Sequence, residues 1–124
     1  MATLTAKRGL PKNITAVTSV VNVNRYLGTD TGEIWSQVIS STVLAKTGQL
    51  REGISAMTTD ETYNYIGTNK GNIYRQTIAG GAIDAAPIAK IPPGGGAIIS
   101  MDYDATLADV HLVTNDGKIY QLAI

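Results

Sequence analysis

Short runs of β-branched and aliphatic residues alternate with turn-forming residues along the chain. Near the middle they cover residues 42–46, 54–58, 63–68 and 72–78. Val, Ile, Thr and Tyr favour strands, because branched and aromatic side chains pack well on a pleated surface. No stretch of about ten residues shows the 3.6-residue apolar period of a helix. The pattern therefore predicts an all-β protein.

One sequence unit occurs three times. Each copy has an aromatic residue or His, then aliphatic residues, a glycine turn and a second aromatic residue. The turn glycines lie 39 and 46 residues apart (32 to 71, 71 to 117): Gly32, Gly71 and Gly117. A four-stranded propeller blade repeats every ~40–45 residues. The predicted repeat cores are residues 14–39, 54–78 and 99–124, within a single domain covering residues 1–124.

The turn between the last two segments of each unit requires a residue with positive φ, which glycine supplies. Strands so close in sequence pair antiparallel, and a meander repeated at this period indicates a propeller. The motif from Tyr65 to Tyr74 resembles blades of quinoprotein-like and WD-repeat-like propellers. That resemblance implies an all-β fold with three four-stranded blades. It also implies that the third-strand aromatic residues pack between neighbouring blades: Trp35, Tyr74 and Tyr120.

Three blades are too few to close a ring, since propellers typically have four to eight. We expect both end blades to expose an apolar sheet face, which a second copy would cover. The sequence therefore predicts a homodimer with a six-bladed ring. Residues 3–7 match the outermost fourth strand of a blade, and we expect this strand to complete the last blade of the partner. A fragment of a longer propeller is the alternative.

Composition narrows the function classes. The 124 residues carry ten basic and ten acidic side chains without a basic run, which predicts no nucleic-acid partner. No apolar run is long enough for a membrane span, and no secretory signal is recognisable. The chain has no cysteine, which excludes disulfides and thiolate zinc sites. This favours a cytoplasmic or virion protein over a secreted one, although a secreted protein that needs no disulfides also fits.

Candidate catalytic groups are few. The single histidine, His111, stands where the other units have Tyr26 and Tyr65, so we interpret its ring as filling an inter-blade position. The carboxylates of Asp60, Asp102 and Asp104 fall near turns, where Asp usually bonds its own backbone. The sequence thus predicts no catalytic residue, no metal, no cofactor and no enzymatic activity.

The turns that join outer to inner strands and the glycine hairpins should emerge on one rim of the ring, where propellers usually bind. We therefore expect a non-enzymatic binding or scaffold module for a protein or glycan. One alternative is a lectin in which Tyr63, Tyr65 and Trp35 stack on sugars. Another is a hydrolase or lyase whose carboxylates meet in the central channel. The candidate ligand-binding residues are Asp30, Arg51, Glu52, Asn69, Lys70, Asn115 and Asp116.

Overall fold

A computed structural model describes residues 2–5, 9–20, 23–41 and 43–124. This part of the chain contains eleven strands and no helix. In these ranges no helix is therefore long and apolar enough to cross a membrane. The strands are β1 Ile14–Ser19, β2 Asn24–Thr29, β3 Glu33–Val38, β4 Leu44–Gln49, β5 Ile54–Thr59, β6 Tyr63–Thr68, β7 Asn72–Thr77, β8 Ala89–Lys90, β9 Ile98–Asp104, β10 Asp109–Thr114 and β11 Ile119–Ala123.

The strands form three antiparallel sheets in chain order. The first sheet is β1-β2-β3-β4, the second is β5-β6-β7-β8, and the third is β9-β10-β11. Within each sheet every strand pairs with the next one along the chain, which is the meander that the repeat predicts. The all-β prediction is confirmed, and the three sheets fit three blades.

The glycine turns take the predicted conformation. Gly32, Gly71 and Gly117 have φ of 86°, 80° and 83°, which a side chain would disfavour. Each follows a strand that ends in Thr, and the glycine N–H donates to the carbonyl of that Thr at 3.0–3.1 Å. The tight turn between the second and third strands of every sheet is therefore dictated locally.

The fourth strands differ most from the sequence prediction. β4 runs from Leu44 to Gln49, three residues beyond the predicted 42–46 segment, and residue 42 lies outside the described ranges. β8 has only two residues, because residues 79–88 form a long turn that meets β7 through a single bridge between Gln76 and Ile83. Fourth strands lie at sheet edges, where only one neighbour constrains their extent.

The apolar core lies between the sheets. One buried cluster joins the first sheet to the second through Tyr26, Ile34, Ile54 and Ile66. A second cluster joins the second sheet to the third through Tyr65, Ile73, Ile98, Val110 and Leu112. Both faces of the second sheet are therefore covered by another sheet, whereas among the described residues one face of the first sheet and one face of the third have no sheet packed against them.

The first strands of the sheets stand side by side, β1 against β5 and β5 against β9. They line one concave surface, as the innermost strands of adjacent blades would. The third sheet has three strands in the described residues, and its edge is β11. The predicted strand at residues 3–7 is not formed at residues 3–5, where Leu4 is fully exposed, and residues 6–8 lie outside the described ranges.

Candidate functional site

The glycine hairpins and the loops that lead into each first strand lie on one rim. Three equivalent backbone hydrogen bonds join them: Asp30 N–H to the Asn13 carbonyl (3.2 Å), Asn69 N–H to Gly53 (3.0 Å) and Asn115 N–H to Ala97 (2.9 Å). All seven candidate residues lie on this rim, on the second-to-third-strand hairpins or on the loop before β5. Six of them are exposed: Asp30, Arg51, Asn69, Lys70, Asn115 and Asp116.

Two of these residues are held by neighbours. Both carboxylate oxygens of Glu52 accept from the Asn72 side-chain amide, at 2.7 and 2.9 Å, which ties the loop before β5 to the hairpin of the same sheet. The Thr114 hydroxyl donates to Asp116, and Lys118 lies 3.7 Å from it. The Thr114 hydrogen bond, with help from the Lys118 charge, lowers the pKa of Asp116.

A polar pocket opens beside this rim between the first and second sheets. Its volume is about 390 Å³. Arg51 and Glu52 lie on one side, and Tyr74 and Asp84 lie on the other. Burial, and the nearby negative charge of Glu52, raise the pKa of Tyr74. The pocket thus combines a cation, two carboxylates and an aromatic ring.

An equivalent pocket of about 260 Å³ lies between the second and third sheets. Tyr120 holds the place of Tyr74 there, and Lys90 and Ile91 hold the place of the β4 end. Tyr74 and Tyr120 also pack against the two inter-sheet clusters. Trp35 holds the same position in the first sheet, which has no sheet before it. Its ring nitrogen is buried without a hydrogen-bond partner among the described residues.

Tyr65 is not available for sugar stacking. Its ring is fully buried and stacks on Tyr103 of the third sheet, with the ring centres 6.5 Å apart. The Arg75 guanidinium lies 4.4 Å from the centre of the Tyr63 ring and covers one of its faces. The expectation that Tyr65 stacks on a sugar is therefore wrong, because the third sheet covers its ring.

Asp60 and Asp104 have the turn role that the sequence suggests. Asp60 accepts from the backbone N–H of Thr62 and Tyr63 at 2.9 and 2.7 Å, and Asp104 accepts from Thr106 and Leu107. The Tyr65 hydroxyl donates to the other Asp60 oxygen at 2.7 Å. Burial and this hydrogen bond raise the pKa of Tyr65 well above its usual range.

The side of the first sheet that is turned away from the second sheet is the leading face. Tyr26 and Ile34 point into the inter-sheet core, so their strand neighbours point the other way. Cross-strand partners share a face, which adds Val17 and Lys46 through their pairing with Leu27 and Trp35. The leading face carries Ile14, Val17, Arg25, Glu33, Trp35 and Lys46.

The side of the third sheet that is turned away from the second sheet is the trailing face. Val110 and Leu112 point into the core, so the odd-numbered residues of β10 point outwards. The partners of Asp109 and His111 on β9 are Asp104 and Asp102. The trailing face carries Asp102, Asp104, Asp109, His111, Val113 and Ile119.

The two open faces differ in character. The leading face is apolar with two cations and one acid, Arg25, Lys46 and Glu33, and Lys46 lies 3.4 Å from Glu33. The trailing face has three aspartates beside His111. The expectation of two apolar open faces is therefore wrong for the trailing face, whose strands carry three aspartates. Sequence reasoning missed the acidic face because Asp102 meets His111 only through the register of β9 and β10.

The three aspartates and His111 are too dispersed for a metal site. Among the described residues no three His, Asp or Glu side chains are placed to hold a metal ion. The concave surface of the first strands has no carboxylate in its described lining either, so nothing there favours the hydrolase or lyase alternative. That lining is Thr15, Ala16, Val17, Ser55, Ala56, Met57, Ile99, Ser100 and Met101.

No family model matches the chain, and neither does any curated protein. Among solved structures, the computationally designed Ika4 protein matches 100% of this chain and 99% of its own, with a TM-score of 0.64 and 12% identity. The computationally designed Ika8 protein matches 87% of this chain and 32% of its own, with a TM-score of 0.65 and 17% identity. Sqt1 of Saccharomyces cerevisiae matches 90% of this chain and 32% of its own, with a TM-score of 0.65 and 13% identity.

These matches concern the fold. They place the chain among all-β proteins built from repeated antiparallel sheets. The chain spans nearly all of Ika4 but only about a third of Ika8 and of Sqt1.

Proposed function

We propose that this chain is a half-propeller that completes a six-bladed ring with a second copy. The ring serves as a non-enzymatic binding or scaffold module that presents its rim to a protein or glycan. The rim candidates Asp30, Arg51, Asn69, Lys70 and Asn115 would then recur twice around the ring, where avidity strengthens weak single contacts.

A comparison of equivalent positions supports the ring. Ile54 and Ile98 open the first strands of the second and third sheets and are 1% and 0% exposed, whereas Ile14 of the first sheet is 37% exposed. Met57 is 6% exposed and Met101 9%, whereas Val17 in the same register is 60% exposed. The residues of the leading face thus resemble those of an inter-sheet contact, and residues 2–5 and 9–13, which precede β1 in the described part of the chain, form no sheet.

The completed ring also accounts for the N-terminal residues. In the second sheet the third strand has a fourth strand beside it, whereas β11 has none in the described part of the chain. Residues 3–7 of the partner would pair with β11 and satisfy its open backbone groups. The contact is reciprocal, since a twofold axis along the ring centre brings each leading face to the other copy's trailing face.

Solution mass tests the ring. Multi-angle light scattering at micromolar concentration is expected to give a particle of about 26 kDa, twice the 13.1 kDa of one chain. A single subunit across that concentration range would overturn the proposal, and so would three or more copies in one closed particle.

A multivalent lectin is the second candidate function. It is favoured by the two pockets at equivalent places beside Tyr74 and Tyr120. At Tyr74, two carboxylates and the Arg51 guanidinium around a half-exposed aromatic ring suit sugar hydroxyls and the apolar face of a sugar. At Tyr120 the polar groups are Lys90 and Gln121, and the rest of the lining is apolar. A third pocket beside Trp35 would form once the leading face is covered.

A glycan array tests this candidate. We expect binding that Arg51→Ala weakens and Lys70→Ala preserves, because Arg51 lines the pocket beside Tyr74 while Lys70 lines neither pocket. The absence of any bound glycan, or equal losses in the two variants, would rule out a lectin site in these pockets.

A further inference from the structure

We infer that the ring closes head to tail through electrostatically matched faces, with Arg25 of one copy against Asp102 of the next. This inference rests on the proposed ring and adds to it the residues that select the partner. A second copy of this chain is the one occupant to which both open faces are complementary.

The charges of the two faces are opposite. On the leading face Glu33 offsets Lys46, to which it is ion-paired, and leaves the Arg25 charge in excess. The Arg25 guanidinium donates to the Gln37 side chain at 3.2 Å and is half-buried, so it is oriented within the face. On the trailing face the Asp102 carboxylate is exposed and Asp104 is half-buried, whereas Asp109 is buried and accepts a hydrogen bond from the Gln121 side chain. Opposite charge on the two faces favours heterologous contact and disfavours pairing of like faces.

The internal contact between the second and third sheets indicates where these charges meet. There, the Thr58 hydroxyl accepts from the backbone N–H of Tyr103 at 3.1 Å. Asp102 holds the place of Thr58 in the third sheet, and Ser19 holds the place of Tyr103 in the first sheet. If the ring contact repeats this geometry, Asp102 lies at the Ser19 N–H of the next copy.

Arg25 lies directly across the strand pair from Ser19, so its guanidinium reaches the same carboxylate. No described residue forms a hydrogen bond or ion pair with Asp102 within one chain. The exposed carboxylate is therefore available to an incoming cation and a backbone donor. Such charge-assisted hydrogen bonds are stronger than neutral ones.

Side-chain sizes at the two open faces differ from those of the internal contacts. Gly28 and Gly67 hold one position of the second strand, where a Cβ at Gly67 would lie 2.8 Å from both Ile98 and Met101. The third sheet has Val113 at this position. On the leading face Val17 is smaller than the methionines of the internal contacts, whereas Ile14 has the size of Ile98. The ring contact around Val113 therefore differs from the internal contacts, and the space for Val113 comes from Val17 alone.

Charge reversal tests the pairing. Arg25→Glu and Asp102→Lys are expected to weaken self-association by about tenfold to a hundredfold each, because each brings like charges together in both contacts of the ring. Mixing the two variants is expected to restore a two-copy particle. In the mixed ring one contact is wild type and the other joins the two substituted positions, so opposite charges meet in both contacts.

Analytical ultracentrifugation gives the affinities, and native mass spectrometry with one variant tagged identifies the mixed particle. Lys70→Glu changes the same amount of charge at a rim residue outside both faces, and it should leave the affinity unchanged. Thermal unfolding of each variant confirms that the fold is retained. Wild-type association should also weaken as ionic strength rises from about 0.05 to 0.5 M.

The outcomes separate the two proposals. A two-copy wild type that neither reversal weakens would overturn the charge pairing and leave the ring in place. Weakening by only one of the two reversals would overturn the head-to-tail contact, because a contact between like faces contains only one of the two substituted positions. Two weakened variants that do not recover on mixing would overturn the pairing of Arg25 with Asp102. A wild type that stays a single subunit would overturn both.

Discussion

Gly67 lies where the second and third sheets approach most closely. A Cβ at this position would lie 2.8 Å from the Ile98 and Met101 side chains, both of which belong to the buried core. The residue is in an extended strand, so space and not backbone conformation requires glycine here.

Gly67→Ala is therefore expected to lower the free energy of unfolding by about 1–3 kcal/mol through overpacking, as measured by urea denaturation. Val113→Ala at the equivalent position of the third sheet serves as the control. Val113 lies on the open trailing face, and under conditions where the chain is a single subunit its truncation should change stability by less. Equal effects would mean that inter-sheet spacing does not select the glycine.

Ionisation of the Tyr65 phenol is expected to lower the stability of the fold at alkaline pH. The pKa of its phenol is raised in the folded state, by burial first and then by the hydrogen bond to Asp60, above the value of ~10 in the unfolded chain. A raised folded-state pKa contributes stability that is fully present below about pH 10 and is lost as pH rises further.

The free energy of unfolding should accordingly fall between about pH 10 and 12, and less steeply in Tyr65→Phe. At neutral pH this variant loses the hydrogen bond to Asp60 and should be destabilised by about 1 kcal/mol. Tyr103→Phe removes a hydroxyl that bonds no described residue and should retain the wild-type alkaline profile. An unchanged profile in Tyr65→Phe would remove Tyr65 as the cause.

At the scale of elements, the first strands of the three sheets occupy equivalent positions but have different neighbours. Ile54 opens β5 and is buried against the first sheet, whereas Ile14 opens β1 on the uncovered leading face. The sequence makes these residues alike, and only their neighbours distinguish them.

Ile54→Ala is expected to cost about 2–5 kcal/mol in the free energy of unfolding, since it leaves a cavity between two sheets. At low protein concentration, Ile14→Ala should lower the free energy of unfolding much less than Ile54→Ala does. It should, however, weaken self-association. Urea denaturation at low concentration measures the first effect, and ultracentrifugation measures the second. If the wild type forms a two-copy particle and Ile14→Ala does not weaken the affinity between copies, the leading face is not the contact surface.

The bounds of the strands were predictable where the local sequence determines them. The β6 bounds, Tyr63–Thr68, are those that the pattern predicts, because alternating side chains and a glycine turn limit the strand on the Gly71 side. The end of β4 was not predictable, since an edge strand ends where its one neighbour stops pairing, as at Gln49.

At the scale of the whole molecule, the exchange of residues 3–7 remains a prediction that backbone chemistry can test. Consecutive residues of a strand direct their N–H groups to opposite sides, so the double variant Leu4→Pro/Thr5→Pro removes one donor from any ladder that forms here. The affinity between copies should fall, as measured by ultracentrifugation.

Within one chain, Leu4 and Thr5 are exposed and lie outside any strand. The double variant should therefore have the wild-type free energy of unfolding at low protein concentration. Ala2→Pro, outside the predicted strand, is the control. An unaltered affinity in the double variant would exclude pairing of this segment with the partner's β11.

The sequence by itself determined the three-fold repeat, the strands and the glycine turns, because these depend on local preferences that recur with the period of the unit. It also indicated the rim, where Asp30, Asn69 and Asn115 follow equivalent second strands. The tertiary structure alone decided that Tyr65 is covered, that Asp102 stands beside His111, and that the open faces are unlike. Those features depend on strand register and on which sheet packs against which, and residues far apart in the chain set both.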